Sequence, residues 1–365
     1  MKKIFISTGE LSGDKLGAWF VKRQKQKGQD IDVHAVGGSY LESCGVKIYE
    51  RIENLGFVGI VEILKHLSFI FKFLKKLSDY ILENNFDEVV LVDFPGFNLL
   101  LAKRLKKQNP NLKITYLSPP QLWVWGAWRV KKLRKSCDEV IVLYPFEVEW
   151  YKKRGVHSQW LGYPFYDEYV SSFTISKNKQ KQIAILPGSR SVEIKNLLPI
   201  FIDVIKEFQK KHSDVKWVLP LAESISLDLL NETFSKFGMP DWKNIITLVY
   251  DEEEKKKILS ECVLAIAKPG TATLQLALLG VPTIIIYKSS FINYLIARPL
   301  IRVKYMGLPN LLLEKAVFPE LLQGDCTTKK ITNKSFEIYE NFISGDNEYQ
   351  NTLNQLQQIH ELLKF

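Results

Sequence analysis

The sequence predicts an α/β protein built from two Rossmann-like parallel-sheet domains. Three observations carry this. Short apolar runs at Ile4–Ser7, Val89–Val92, Ile183–Leu186 and Cys262–Ala267 each end in a loop holding glycine or proline, then pass into a helical pattern. That alternation is how strand–helix–strand units read in a sequence. The pattern lapses over Ser171–Gln182, which is polar and poorly periodic, and restarts at Ile183, so this stretch reads as a linker. With 365 residues the chain exceeds the ~250–300 residues at which single cores stop growing. The expected domains are 1–170 and 171–346, with a final helix, 347–365, packing back on the first.

Composition narrows the function classes. A net charge of +10 and a pI near 9.1 suit anionic partners: nucleic acid, phosphorylated metabolites or an acidic membrane surface. The four cysteines, Cys44, Cys137, Cys262 and Cys326, are far apart and form no CxxC pair, so neither a disulfide framework nor a zinc site is expected. No metal and no cofactor are expected. MKKIFISTGE does not read as a signal peptide, and no uncharged apolar run reaches the ~18 residues of a spanning helix. The five histidines are scattered and accompany no G-x-S-x-G motif, which leaves a hydrolase triad without support.

In the first half, strand Ile4–Ser7 leads into the loop Thr8–Asp14, with a helix expected from Leu16. Glycines 9, 13 and 17 do not make G-x-G-x-x-G, which argues against a dehydrogenase. Glu10, Ser12 and Asp14 would lie at the carboxyl end of the first strand, where open α/β sheets hold ligands; helix capping by Ser12 or Asp14 is the plainer alternative. Asp30-Ile31-Asp32 matches a metal-and-nucleotide D-x-D pattern, but at the amino end of a strand, so it reads as a solvated turn. Phe57–Leu77 has helical spacing (Phe57, Ile60, Val61, Leu64, Leu67, Phe71, Leu74) with a wide apolar stripe edged by lysines. It suits either a buried helix or one lying in a membrane interface. Strand Val89–Val92 ends on Asp93, held by the break Phe94-Pro95-Gly96, with Asn98 opening the next helix. A carboxylate there is placed for proton abstraction. Strand Ile114–Leu117 precedes Ser118–Arg129, whose Trp123, Trp125 and Trp128 could stack on sugar, base or lipid, or pack a domain face. The basic run Arg129–Lys135 lacks any nucleic-acid recognition motif.

In the second half, strand Ile183–Leu186 meets Pro187-Gly188-Ser189-Arg190, where glycine admits close backbone approach and arginine offers a planar fork to a phosphate. Further strands are expected at Trp217–Leu221, Ile246–Val249, Cys262–Ala267 and Ile284–Ile286. The stretch Lys268-Pro269-Gly270-Thr271-Ala272-Thr273 joins the third of these to a helix. It is either a pyrophosphate-binding helix start or a plain helix start with Thr271 as its cap. Leu308–Leu312 and Phe318–Glu320 are expected to close the second sheet.

In order along the chain, GE-L-SGD, GIVEIL, DFPGFN, WVWGAWR, YPFE, LPGSR, PGTATLQ and LPNLL resemble the lipid-A-disaccharide synthases. These are inverting glycosyltransferases of the GT-B arrangement, two Rossmann-like domains facing across a cleft. Each motif is weak alone; the ordered set spans nearly the whole chain. The resemblance implies transfer of 2,3-diacylglucosamine from its UDP donor to the 6-hydroxyl of 2,3-diacylglucosamine 1-phosphate, without a metal, at the cytoplasmic face of the inner membrane. It implies Asp93 as general base, with Glu10 beside it among the catalytic residues. It places UDP-sugar at Gly188, Ser189, Arg190, Gly270, Thr271, Ala272, Thr273 and Gln275. It places the acceptor at Ser12, Gly13, Asn98 and Trp125, and acyl or membrane contact at Phe57, Ile60, Leu64 and Phe71. Partners are then the two glycolipids and an anionic membrane surface, with no nucleic acid; a homodimer stays open. Four positions depart from the family pattern: Gly96 for a second acid, Pro269 for serine, Gln275 for the glutamate expected on ribose, and Tyr163 for histidine. Other GT-B UDP-sugar enzymes, such as a 2-epimerase, and a non-catalytic UDP-sugar-binding protein are the alternatives.

Overall fold

Buried apolar strands dictate the architecture. The computed structural model describes residues 1–55, 67–170, 179–221, 225–288 and 303–364. The chain divides into two units, Met1–Pro164 and Phe165–Lys364. The first carries strands β1 (Lys2–Ser7), β2 (Ile31–Gly37), β3 (Lys47–Arg51), β4 (Glu88–Val92), β5 (Lys113–Leu117), β6 (Glu139–Val142) and β7 (Ser158–Trp160). Among the described residues they form one parallel sheet in the order β3-β2-β1-β4-β5-β6-β7. The second unit carries β8 (Gln180–Leu186), β9 (Lys216–Pro220), β10 (Ile246–Val249), β11 (Cys262–Ala267), β12 (Thr283–Tyr287) and β13 (Glu320–Leu322). Their order, β10-β9-β8-β11-β12-β13, is again wholly parallel.

All five residues of β4 and all six of β11 are buried, which is why these segments read as continuous apolar runs rather than alternating ones. Helices cover the sheets. In the first unit, Phe73, Leu74, Leu77 and Ile81 of helix Leu67–Glu83 share a core with Phe97, Leu101 and Leu105 of helix Pro95–Gln108. In the second, helix Ser191–Lys211 buries Ile194, Leu197, Leu198, Phe201, Ile202, Ile205 and Phe208 with Trp217 and Phe234. Each sheet reverses its strand order once, between β1 and β4 and between β8 and β11. At such a switch point the loops leaving the carboxyl ends diverge and leave a crevice for ligand.

Several expectations are corrected. The unit boundary falls at Pro164, because Tyr166–Val170 is a helix of the second unit, with Tyr166 against His360. Most of the expected linker, residues 171–178, lies outside the described residues, and β8 already begins at Gln180. The final helix, Asn347–Leu363, packs on the second unit rather than the first. Tyr349 donates its hydroxyl to Val263 O at 2.8 Å, and His360 Nε2 lies 2.9 Å from Leu278 O. Leu308–Leu313 is a helix, not a strand, and among the described residues β13 alone follows β12.

Candidate active site

The first switch point is built by Asn98. Its buried side chain accepts the Ser7 hydroxyl at 2.8 Å and donates to the carbonyls of Ser7 (3.3 Å), Val92 (3.1 Å) and Asp93 (2.9 Å). One amide thus fastens the carboxyl ends of β1 and β4 together. This corrects two readings. Asn98 does not cap the helix, which starts three residues earlier at Pro95 with Phe94 as its N-cap. Its polar atoms are also spent on the scaffold and are not turned to an acceptor sugar.

Asp93 and Phe94 both adopt left-handed backbone, φ 45° at each. Non-glycine residues rarely sit there unless their surroundings over-determine them. Here they do. Asp93 N donates to Leu117 O at 3.1 Å, and its own carbonyl accepts the Tyr116 hydroxyl at 2.7 Å as well as the Asn98 amide. The Phe94 ring lies over Gly9, so closely that any side chain at position 9 would overlap it. The first loop and the Asp93 turn are therefore one packed piece. Burial raises the Asp93 carboxyl above its ordinary pKa, the Glu10 charge adds to the rise, and the Phe94 N–H opposes it.

The first helix begins at Leu11, not Leu16, so Ser12, Gly13 and Asp14 form its opening turn and Glu10 is its N-cap. Glu10 and Ser12 are exposed at this edge; Gly13 is buried. Asp14 is a structural residue: its carboxylate accepts Gly38 N at 2.7 Å and Tyr40 N at 2.8 Å, at the start of helix Ser39–Ser43. Asp32 likewise pairs with Lys47 at 2.9 Å.

Of the three tryptophans after β5, Trp123 is core and donates Nε1 to Glu147 Oε1 at 2.7 Å. Glu147 also accepts Leu143 N and Tyr144 N, at 3.0 and 2.9 Å; burial pushes its carboxyl up to about 7 against the pull of those donors. Trp125 and Trp128 are exposed, meet edge to face, and Arg129 stacks on Trp125 at 4.4 Å. Phe71 is exposed on helix Leu67–Glu83; Phe57, Ile60 and Leu64 lie outside the described residues.

The second switch point has the same plan. The loop after β8 carries Gly188, Ser189 and Arg190; that after β11 carries Lys268, Pro269 and Gly270. The structure joins them, Lys268 Nζ lying 2.6 Å from Glu193 Oε1. Glu193 Oε2 accepts Ser189 N at 3.1 Å, folding over Gly188, whose φ of 128° suits only glycine. Arg190 is the N-cap of helix Ser191–Lys211, with its side chain 83% exposed and Nη1 3.7 Å from Glu193. Gly270, not Thr271, is the N-cap of helix Thr271–Leu278, and no side chain caps this end. Thr271 and Ala272 open that helix, and Thr273 turns its buried hydroxyl back to Gly270 O at 2.8 Å. A helix start without a side-chain cap beside an exposed guanidinium is equipped for a phosphate or diphosphate. Gln275 lies one turn along, close enough to Tyr169 to temper the rise that burial gives the pKa of that phenol. Tyr163 is buried and stacks on Tyr144. Sequence patterns give no role to Glu193 or Lys268, and to Phe94 only that of breaking the strand; their contacts span loops up to 85 residues apart in the chain, which no local pattern records.

Comparison with known proteins agrees with this plan. Among solved structures, a UDP-N-acetylglucosamine 2-epimerase from Neisseria meningitidis, described as bound to UDP-GlcNAc, superposes with a TM-score of 0.62 at 13% identity, covering 100% of this chain and 99% of that one. MurG of Acinetobacter baumannii gives 0.56 at 16% identity, covering 100% and 99%. These show the GT-B-type fold. Sequence relatives are nearer. Lipid-A-disaccharide synthase 1 of Legionella pneumophila is 32% identical, covering 99% of this chain and 93% of its own length. The lipid-A-disaccharide synthase of Coxiella burnetii is 33% identical, covering 93% and 89%. The sequence profile of the lipid-A-disaccharide synthetase family matches residues 4–364, and the chain belongs to this family of glycosyltransferases.

Proposed function

We propose that this chain joins two diacylated glucosamines. A 2,3-diacylglucosamine passes from UDP to the 6-hydroxyl of 2,3-diacylglucosamine 1-phosphate, with inversion and release of UDP. Family membership gives the substrates; the residue that supports the chemistry is Asp93, a carboxylate in left-handed backbone at the tip of a central strand. In this reading Asp93 accepts the proton of the acceptor hydroxyl as its oxygen bonds to the anomeric carbon. The bond from that carbon to the diphosphate breaks, and UDP leaves as an anion. Arg190 and the backbone N–H groups of Thr271 and Ala272 meet the charge that develops on it. Gln275 serves the ribose, and Trp125, with Ser12 and Gly13, the acceptor. Glu10 acts through Asp93, by raising its affinity for a proton.

We place the work at an anionic membrane face, the inner side of the inner membrane. Among the described residues no helix is long and apolar enough to cross a membrane. Phe69 and Phe71 are exposed on helix Leu67–Glu83, which also lines an open groove of about 580 Å³ with Lys72, Lys75, Lys76, Asp79, Tyr80 and Glu83, opposite Tyr49. Aromatic side chains next to lysines suit a lipid interface.

The test is UDP release and disaccharide formation by the full chain with diacylated donor and acceptor in detergent. Asp93→Asn should lower kcat by about 10²–10⁴-fold while UDP still binds. Arg190→Ala should weaken UDP by about 10–100-fold, the range of a charge-assisted contact. A soluble N-acetyl donor turned over faster than the diacylated one would redirect the reading to another UDP-sugar enzyme.

A further inference from the structure

In the second unit, Ser189 and Arg190, assigned above to the UDP-sugar, meet Lys268 of the neighbouring loop at a carboxylate of the chain itself. Glu193 accepts Ser189 N–H at 3.1 Å through Oε2. Through Oε1 it lies 2.6 Å from Lys268 Nζ and 3.7 Å from Arg190 Nη1. A glutamate at the third position of a helix ordinarily returns to the N-cap N–H. Here the N-cap is Arg190, and Glu193 reaches past it to Ser189 and to a cation on the loop of another strand. Only the Ser189 contact resembles helix capping, one residue early; the contacts to Lys268 and Arg190 do not. The backbone at Gly188 leaves the space that the carboxylate fills: a side chain there would collide with Glu193. Burial would raise the pKa of Glu193, but Lys268, Ser189 and Arg190 outweigh it and hold the group below its ordinary value, so it is an anion at neutral pH.

We propose that Glu193 is a resident counter-anion of the nucleotide cradle: it holds Ser189, Arg190 and Lys268 together until a diphosphate takes them over, and so sets how readily UDP leaves. The proposal rests on the reading of the second unit as the UDP-sugar site. Two anions cannot share these donors without repulsion. Either Glu193 rotates away when nucleotide arrives, giving up its contacts, or it stays and opposes the phosphates. In both cases it weakens diphosphate binding and speeds product release, and it does nothing to the uridine.

The experiment is calorimetric titration of the full chain with UDP and, separately, with uridine. Glu193→Gln keeps shape and the ability to accept the Ser189 N–H but removes charge. It should tighten UDP about tenfold, as expected for relief of one close charge, slow UDP dissociation, and leave uridine binding unchanged. Glu193→Asp keeps charge and should stay near wild type, which separates charge from shape. Lys268→Gln should weaken UDP, and adding Glu193→Gln to it should recover less than the tenfold seen alone, because the two groups are coupled. Weaker or unchanged UDP binding in Glu193→Gln, with wild type binding UDP, overturns this proposal alone and leaves Glu193 as a helix cap. A wild type that binds UDP no better than uridine overturns the nucleotide reading of the unit, and this proposal with it.

Discussion

Asp93 is where backbone strain, burial and charge meet. Its left-handed backbone is followed by the same conformation at Phe94, and Ser118, one strand over, has φ 54°. Strain of this kind persists only where neighbours enforce it, and the Asn98 amide and the Tyr116 hydroxyl both hold the Asp93 carbonyl. The raised pKa has a direction that can be tested twice. To act as the proposed base Asp93 must be ionised, so kcat/KM should fall on the acid side at a pH above the ordinary carboxylate value. Glu10→Gln removes a charge that disfavours ionisation of Asp93, so this acid limb should move to lower pH; a limb that stays put, or moves up, refutes the coupling. Stability carries the opposite sign. With the folded pKa raised above the unfolded value near 3.8, the folded state loses stability as pH climbs through that window. Asp93→Asn escapes the loss, so its Tm should exceed wild type at pH 7 and match it near pH 3. An inactive variant that is also more stable is the mark of a residue kept for chemistry rather than packing.

The elements are largely legible because a parallel sheet covered on both faces writes itself as apolar runs. β4 and β11 stand out for that reason, and the loops after β1, β4, β8 and β11 follow as ligand edges. What escapes are partners distant in sequence. Asn98 looks like a helix start, since asparagine favours that place; its bonds to Ser7, 91 residues away, appear only in three dimensions. Glu193 and Lys268 are 75 residues apart, and neither stands in a motif that names the other. The last helix shows one buried stripe, Tyr349, Leu353, Leu356, Ile359 and Leu363, and this spacing says that a face is covered without saying by what. Two substitutions test these placements. Asn98→Ala takes an acceptor from the Ser7 hydroxyl and a donor from the carbonyls of Ser7, Val92 and Asp93, of which Asp93 keeps the Tyr116 hydroxyl, and should cost about 2–4 kcal/mol in a urea melt, with loss of activity. Leu356→Ala should cost about 2–5 kcal/mol, read in the second unit's transition. An unchanged midpoint for either variant would show that its side chain does not hold the scaffold.

At the scale of the whole molecule, charge and exposed aromatics bear on where the chain works. With a net charge of +10 and Phe69 and Phe71 beside lysines, the full chain should sediment with anionic lipid vesicles and not with neutral ones, and high salt should release part of it. Phe71→Ser should lower vesicle partitioning about tenfold, the worth of one buried aromatic ring. Equal binding to neutral vesicles, or none to either kind, would detach the chain from a charged lipid surface. The parallel design of the two sheets has a further outcome, in how the chain is made. Among the described residues no strand pairs through a hairpin: Ile4 of β1 waits for Glu88 of β4, and Ile183 of β8 for Leu264 of β11. Such distant pairings fold slowly. Each sheet nevertheless draws on one unbroken stretch, β7 ending at Trp160 before β8 opens at Gln180. A ribosome delivers every strand of the first sheet before the first strand of the second, so synthesis itself keeps two near-identical topologies from trading strands.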